Sequence, residues 1–467
     1  MNNVSCATMD YFPWHQQGIN KMEPPYTQRS GVPLQTRPVL SPFNPSALQS
    51  LSSILPRKKN GISITIHDHF ASKRYRPGSI VKGMVDIKPK KPTTFTSISI
   101  KLVCDSSVER PNGSLSFETW HRLLELEMPI DGETLPSPKI LQPNQTYTIP
   151  FYFVLPNSLG TEACSHNVLW QEVRQLHSQL PPTLTGWERD AMVSRGVCIE
   201  YGVIAQVWNS ACPEYAKLEA KETIQFLPGF VEHPTLKIPD TDRVYKFESS
   251  KQLKTNVFAR SSGQITLSTG QPNTLMLDTI GRGFQPLDIS TSLSLESFGG
   301  KSVLPQKAVV SAKIESQTWS QDEPMQQFPH IVDARDCYVG SETLLKKLEV
   351  DLSWEKEAMK RIGTTTAQAA EAFSSRVEIP LQNFMSDKKM FLPTFYSCLA
   401  ARTYQVHITI TVASVALKLV LPIQLSVEDP QGTQNNTEHR LSGYNPESSG
   451  LLPSYNESER RHSRADS

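Results

Sequence analysis

The runs that decide the fold are Ile62-Ser-Ile-Thr-Ile66, Ile80-Val-Lys-Gly-Met-Val-Asp-Ile87 and Ile98-Ser-Ile-Lys-Leu-Val103. Apolar and polar residues alternate in all three, which is the period of a strand with one buried and one wetted face. Between the first two lies Tyr75-Arg-Pro-Gly-Ser79, where the proline presets φ and the glycine can adopt the positive φ of a tight turn. The stretch predicts a hairpin, a third strand and, with them, an antiparallel β-sandwich.

The strand pattern returns along the rest of the chain. It is found at residues 147–155, 199–208, 287–295, 307–315, 375–381, 404–412 and 415–427. The last two flank Ala413-Ser414 and predict a second hairpin. Residues 119–128 fit a strand or a short helix equally well. A stretch without strand pattern, 157–186, has apolar residues at helical spacing, namely Val168, Leu169, Val173 and Leu176.

Composition separates a globular middle from two polar ends. At 467 residues the chain has room for two sandwich domains, and the Pro- and Gly-bearing stretch 226–239 lies between two groups of strands. The ends are polar and without period, which predicts disorder. We therefore predict an all-β protein with a disordered segment 1–60, β-sandwiches over 61–230 and 231–428, an insertion with some helix near 320–374, and a disordered tail over 429–467.

Net charge, cysteine usage and hydrophobicity indicate which partners and which cellular compartment fit this sequence. The chain has 47 Lys and Arg against 46 Asp and Glu, a formal net charge of +1, so we predict no nucleic-acid partner. The 7 cysteines form no CxxC pair, and an odd number cannot all pair within one chain, which favours a reduced cytosolic protein. The start carries no secretory leader, and nowhere do about 18 apolar residues follow one another. We predict neither secretion nor a membrane span.

A set of motifs occurs in order between residues 60 and 428. It comprises Tyr75-Arg-Pro-Gly-Ser79, Val81-Lys-Gly83, Pro150-Phe-Tyr-Phe-Val154, Cys164-Ser-His166 with Leu180-Pro-Pro182, Ile199-Glu-Tyr201, and Leu392-Pro-Thr-Phe-Tyr-Ser-Cys398 before the closing hairpin. In order and spacing the set resembles the fungal α-arrestin family. The resemblance implies two arrestin-like (immunoglobulin-like) antiparallel β-sandwich domains tilted against one another, in a cytoplasmic adaptor that binds and bridges proteins without catalysis.

The polar tail contains a candidate ligand motif, Leu452-Pro453-Ser454-Tyr455, which fits the L/P-P-x-Y pattern read by WW domains. Pro453 favours the polyproline II conformation, so less entropy is lost on docking, and Tyr455 can fill an aromatic-lined groove. In the α-arrestins such motifs recruit HECT-type ubiquitin ligases, so the resemblance implies this role for Leu452, Pro453 and Tyr455. Pro24-Pro25-Tyr26 lacks the spacer residue and is a weaker match.

The tail also contains a candidate phosphorylation site. In Arg460-Arg461-His462-Ser463, two arginines precede the serine, as basophilic kinases prefer. Phosphorylation of Ser463 would add nearly two negative charges shortly after Tyr455 and would change docking there. An unmodified, solvated tail fits the same residues.

Two further patterns bear on chemistry. His67 and His69 are on one face of a predicted strand, as a pair of metal ligands would be, but no third ligand is recognisable and we predict no metal. Cys164-Ser-His166 combines a thiol with an imidazole, yet such near neighbours rarely have the geometry of a nucleophile and its base, which favours a structural role. No phosphate-binding glycine loop and no nucleophile elbow is found, so we predict no cofactor and no enzyme.

The functional prediction is a cytosolic arrestin-like adaptor. Its sandwiches would recognise the cytoplasmic part of a plasma-membrane transporter or receptor, and its tail would bring a WW-domain HECT-type ligase, leading to ubiquitination and endocytosis of that cargo. It would be cytoplasmic and would be recruited to the plasma membrane or endosomes through its cargo. One alternative is an arrestin-like signalling scaffold, for example in ambient-pH or nutrient sensing. Another is a hydrolase or ligand-binding β-sandwich that uses Cys164 or His166.

Overall fold

The structure is a computed structural model. It describes residues 26–29, 32–39, 61–112, 115–132, 135–184, 196–209, 216–229, 245–254, 261–279, 281, 283–297, 304–329, 337–357, 371–381 and 390–427. In these residues the chain is almost entirely β-structure, as predicted, and the sheets are antiparallel apart from two short parallel pairings. No helix in the described part is long and apolar enough to span a membrane.

The first half of the chain forms two large facing sheets and one separate two-stranded sheet, in which Thr93 and Thr94 pair with Leu141 and Ile140. Its strands are β1 (Thr27–Arg29), β2 (Val32–Val39), β3 (Ile62–Ile66), β4 (Arg74–Tyr75), β5 (Ile80–Ile87), β6 (Thr93–Thr94), β7 (Ser97–Asn112), β8 (Leu115–Met128), β9 (Ile140–Leu141), β10 (Tyr147–Val154), β11 (Val197–Trp208) and β12 (Leu218–Phe226). One large sheet has the order β1-β8-β7-β11-β12-β4, with β2 also paired to β8, and the other large sheet has the order β10-β5-β3. The three runs that begin the sequence argument are all strands: β3 pairs antiparallel with β5, and the third lies in β7 of the other sheet.

Between the two sheets lies an apolar core. Alternate residues of β5 point into it, and Val81, Val85 and Ile87 are all fully buried. Phe153 of β10 and Tyr201 of β11 belong to the same buried cluster. The alternation of the sequence is therefore the alternation of buried and outward side chains, as expected for a sheet with one wetted face.

The predicted turn between β4 and β5 is confirmed. Ser79 N donates a hydrogen bond to Arg76 O at 2.9 Å, and Gly78 has a φ of +77°. A β-carbon added at Gly78 would meet nothing within 4 Å. Glycine is therefore favoured here by the backbone conformation and not by lack of space.

We expect Gly78→Ala to lower the free energy of unfolding by about 1 kcal/mol, because a left-handed φ strains any residue with a β-carbon. The measurement is urea-induced unfolding of wild type and variant. Gly132→Ala is the matched control, since its added β-carbon also meets nothing within 4 Å and its φ is not positive. Equal losses in the two variants would contradict the turn conformation.

The second half adds further antiparallel sheets. Its strands are β13 (Glu248–Lys254), β14 (Ser261–Thr269), β15 (Leu275–Leu277), β16 (Leu287–Ser297), β17 (Lys307–Ser320), β18 (Cys337–Asp351), β19 (Glu355–Lys356), β20 (Glu371–Leu381), β21 (Phe395–Tyr396), β22 (Ala400–Val412), β23 (Val415–Ile423) and β24 (Leu425–Val427). One sheet has the order β13-β14-β16-β20-β19; another has the order β18-β17-β22-β21, with β23 paired to β22. The predicted closing hairpin is β22–β23, and both turn residues, Ala413 and Ser414, have positive φ as tight hairpin turns require. The division into 61–230 and 231–428 stays a prediction, because residues 230–244 lie outside the described part.

The prediction of disorder over 1–60 is wrong for the described residues of that segment. β1 and β2 both pair with β8, for example through Thr27 opposite Glu127. Tyr26 donates a hydrogen bond from its hydroxyl to Val154 O at 2.9 Å, and its ring lies 5.9 Å from that of Phe153. Composition missed these strands because pairing along the edge of β8 uses backbone groups and needs few apolar side chains. The other residues of 1–60 lie outside the described part, as does the predicted tail 429–467.

The insertion 320–374, predicted to contain some helix, is mainly strand in its described residues, whereas residues 330–336 and 358–370 lie outside them. β18 pairs with β17 from Cys337 opposite Trp319 to Asp351 opposite Lys307. Its side chains are exposed or half-buried throughout. Charged residues are common on such edge strands because they discourage pairing with other molecules, so charge alone did not indicate a helix. The segment left open at 119–128 is a strand, part of β8.

Candidate metal centre

Four side chains with metal-binding atoms converge beside the connection between β10 and β11. They are Cys164, His166, His177 and Cys398, and their ligand atoms all lie within 4.8 Å of one another. The first three belong to the segment after β10, whereas Cys398 lies between β21 and β22. The group is therefore assembled by tertiary structure from two distant parts of the chain.

Two short helices position Cys164 and His177, and His166 lies between them. A 3₁₀ helix at Thr161–Cys164 ends on the cysteine, and the helix α1 at Gln171–His177 ends on the histidine. Val173 and His177 are one helical turn apart and both buried, so this face of α1 points inward. Arg174 Nη1 donates a hydrogen bond to Cys164 O at 2.9 Å and so ties the two helices together.

Backbone hydrogen bonds fix Cys398 on the other side. Met325 N donates to Cys398 O at 2.8 Å, and Ser397 N donates to Ala400 O at 2.8 Å. The Cys398 thiol is fully buried, and its Sγ lies 3.9 Å from Ala163 O, where it is a weak hydrogen-bond donor. The turn that contains Cys398 is thus held so that the Cys398 sulfur lies against the end of the 3₁₀ helix.

The distances within the group are short. Cys164 Sγ lies 3.5 Å from His177 Nδ1. It also lies 3.7 Å from Nδ1 and 3.6 Å from Nε2 of His166. The two imidazole rings are 5.4 Å apart between centroids. Since both nitrogens of His166 are almost equally far from the sulfur, the distances favour neither of them as the donor atom.

The surroundings favour a charged Cys164 thiol beside a neutral His177 ring. A hydrogen bond from Cys398, together with those of His166 and His177, lowers the pKa of Cys164 although burial opposes it. The same contact with Cys164 raises the pKa of Cys398, and burial lowers the pKa of His177. Thiolate and neutral imidazole are the protonation states that bind metal ions.

His121 of β8 adds a third imidazole to the neighbourhood. It is 6% exposed, and its Nδ1 has no hydrogen-bond partner among the described residues. Burial, with His166 as the next cause, lowers the pKa of His121 to about 4. The ring is consequently neutral at pH 7.

The geometry corrects one sequence-based objection. Residues at the spacing of Cys164 and His166 rarely have the geometry of a nucleophile and its base, yet Cys164 Sγ lies 3.6 Å from the nearer nitrogen of the His166 ring. A nucleophile must nevertheless reach its substrate, and Cys164 is only 2% exposed. Such burial suits a structural ligand better than a nucleophile.

The other predicted site residues are elsewhere. Leu452, Pro453, Tyr455 and Ser463 lie outside the described residues, so their roles stay predictions. His67 is exposed, whereas His69 Nδ1 lies 3.2 Å from the Tyr75 hydroxyl and its ring stacks on that of Tyr75.

Sequence reasoning missed His177 and Cys398 as members of the group. The C-x-H motif and a further histidine in the same segment were a possible signal for a ligand set, but nothing local to Cys398 connects it with them. Comparison with protein-family models finds no matching family, and comparison with curated proteins finds no match. The function is accordingly inferred from the residues of this chain alone.

Proposed function

We propose that the chain is a cytoplasmic, arrestin-like adaptor that brings a WW-domain HECT-type ubiquitin ligase to a membrane transporter or receptor. The observation that carries the proposal is Leu452-Pro453-Ser454-Tyr455 in a polar tail behind an all-β body. The resemblance of its sequence motifs to those of fungal α-arrestins supports the same function. Cargo would be ubiquitinated and endocytosed, and the adaptor would meet membranes through its cargo.

The tail motif suits transient recruitment. Pro453 limits the conformations of the free tail, so docking costs less entropy, and Tyr455 supplies the aromatic side chain for the groove. A single short motif binds a WW domain with a Kd on the order of micromolar or weaker. Such an affinity lets the ligase exchange between adaptors.

The body suits binding of a protein surface. In β16, for example, the outward side chains are polar, namely Asp288, Ser290, Ser292 and Glu296, while Ile289, Leu293 and Leu295 are packed in the apolar core. Catalysis would belong to the ligase, and the contribution of this chain is proximity. Holding the ligase beside target lysines raises their effective concentration without any new chemistry.

The proposal predicts that a double Pro453→Ala, Tyr455→Ala variant loses binding to the WW domains of a HECT-type ligase. The full-length chain is compared with the variant by isothermal titration calorimetry, and we expect at least a tenfold weaker Kd, about 1.4 kcal/mol or more. The matched control is Tyr444→Ala, Pro446→Ala, which removes the same residue types from the same tail outside the motif. Wild-type binding that is absent, or equal in all three proteins, would contradict the proposal.

A further inference from the structure

We propose that Cys164, His166, His177 and Cys398 bind a structural Zn²⁺ that fastens the segment Thr161–His177 to the turn between β21 and β22. We call these four residues the zinc clasp. The inference depends on the geometry of the described residues and is independent of the adaptor function and of the tail.

The donor atoms select the metal. The zinc clasp offers two thiol sulfurs and two imidazole nitrogens, and it includes no carboxylate. Sulfur and imidazole donors suit zinc, whereas calcium and magnesium prefer oxygen. Four protein ligands fill a tetrahedral zinc and leave no open position for substrate, so the site would be structural and not catalytic.

The distances are close to those of a formed site. With Zn–S near 2.3 Å and Zn–N near 2.0–2.1 Å, a sulfur and a nitrogen of one tetrahedral zinc lie about 3.6 Å apart. Cys164 Sγ is 3.5 Å from His177 Nδ1 and 3.6 Å from the nearer nitrogen of His166. All other pairs in the zinc clasp are within 4.8 Å, so closing on a metal needs only small side-chain movements.

Burial is compatible with the charge of the complex. Cys164, His177 and Cys398 are each 2% exposed or less, and His166 is half-buried. Two thiolates neutralise a Zn²⁺, so the complex carries no net charge into the interior and avoids the cost of an unpaired buried ion. His121, with its unpartnered Nδ1, supplies a further polar atom beside the zinc clasp.

The metal would reinforce a contact that other residues already make. Leu169 N donates a hydrogen bond to Gln326 O at 2.9 Å, and the ring of Trp170 lies 5.6 Å from that of Phe328. Phe328 in turn packs edge-on against Tyr396, 5.7 Å away. The same segment of the first half therefore touches the second half both at these rings and at the zinc clasp.

The test begins with the metal content of untagged, full-length protein. We expect about one zinc ion per chain by elemental mass spectrometry. We also expect the visible absorption of tetrahedral, thiolate-bound cobalt after exchange with Co²⁺. In the presence of a competing chelator, the Cys398→Ser and His177→Gln variants should each retain about one tenth of the zinc that wild type retains, or less. The matched controls are Cys198→Ser and His67→Gln, whose side chains are outside the zinc clasp and which should retain zinc as wild type does.

Three results would overturn the inference. The first is a wild-type protein that neither contains zinc nor takes it up when reduced, which decides the matter even if the variants fail to fold. The second is a peptide map that joins Cys164 to Cys398 as a disulfide in the freshly purified protein. The third is equal zinc loss in controls and clasp variants. Because WW-domain binding uses the tail, Cys398→Ser should bind the ligase as wild type does, which keeps this test separate from that of the adaptor function.

Discussion

Gly83→Ala is expected to lower the free energy of unfolding by about 3 kcal/mol or more, because the position has no room for a β-carbon. Gly83 is in β5, the middle strand of its sheet, opposite Ile66 on one side and Phe151 on the other. An added β-carbon would lie 2.0 Å from Thr65 O and 2.7 Å from Phe151 Cζ. The Phe151 ring can turn, but a carbonyl oxygen moves only with its strand, so β3 would have to shift away from β5.

A graded series of glycine variants measures this effect by urea-induced unfolding. Gly202→Ala in β11 should lie between the extremes, since its added β-carbon would be 2.8 Å from Glu222 O. Gly132→Ala should cost least, because nothing lies within 4 Å of that position. The expected order of destabilisation is Gly83, then Gly202, then Gly132. A loss at Gly83 no larger than that at Gly132 would show that β3 lies further from β5 than described.

The strands that the sequence predicted are those whose signal is local. In β5 every second residue from Val81 to Ile87 is buried, and in β22 apolar and polar residues alternate from Tyr404 to Val412. Such alternation can be recognised without knowledge of the partner strand. β2 and β18 were missed because each lies at the edge of a sheet and is held by backbone pairing with a neighbour that sequence cannot identify. The helix is shorter than its apolar spacing suggested, since α1 spans only Gln171–His177.

The candidate metal centre was predictable only in part, for a similar reason. Cys164 and His166 are visible as a motif, and His177 follows in the same segment. Cys398 reaches them because β21 and β22 bring their turn against the 3₁₀ helix, a contact between parts of the chain that are 235 residues apart at Ala163 and Cys398. The prediction of no metal was made from His67 and His69, and neither of these histidines belongs to the group of four.

Arg122→Met is expected to cost about 3 kcal/mol at neutral pH, because it leaves two partly buried carboxylates without their shared partner. Arg122 Nε donates to Asp105 Oδ1 at 2.9 Å, and its Nη1 donates to Glu125 Oε2 at 2.7 Å. The three side chains are 17%, 15% and 8% exposed, respectively, so water replaces the lost contacts poorly. Methionine keeps an apolar stem over the ring of Trp120, which Arg122 covers at 5.1 Å.

The matched control is an exposed ion pair. Lys307 Nζ lies 3.5 Å from Glu349 Oε2, with 66% and 70% of the two side chains exposed. Lys307→Met should cost less than about 1 kcal/mol, because solvent screens such pairs and ordering two long side chains opposes them. Both variants are compared with wild type by urea-induced unfolding.

The pH dependence of the Arg122→Met loss separates lost charge pairing from lost packing. Burial raises the pKa of Glu125, but hydrogen bonds from Lys101 and Arg122 outweigh it, so the pKa is below its ordinary value of 4.5. The paired carboxylate therefore stabilises the fold above pH 4.5, and this stabilisation is lost as the pH falls through the lower, folded-state pKa. In Arg122→Met the hydrogen bond from Arg122 is gone and only that from Lys101 remains, so Glu125 protonates at higher pH than in wild type. Protonation then relieves part of the cost of a carboxylate that has lost one of its two cationic partners. The difference from wild type should consequently shrink between pH 7 and pH 3; a difference that stays constant would assign the loss to packing.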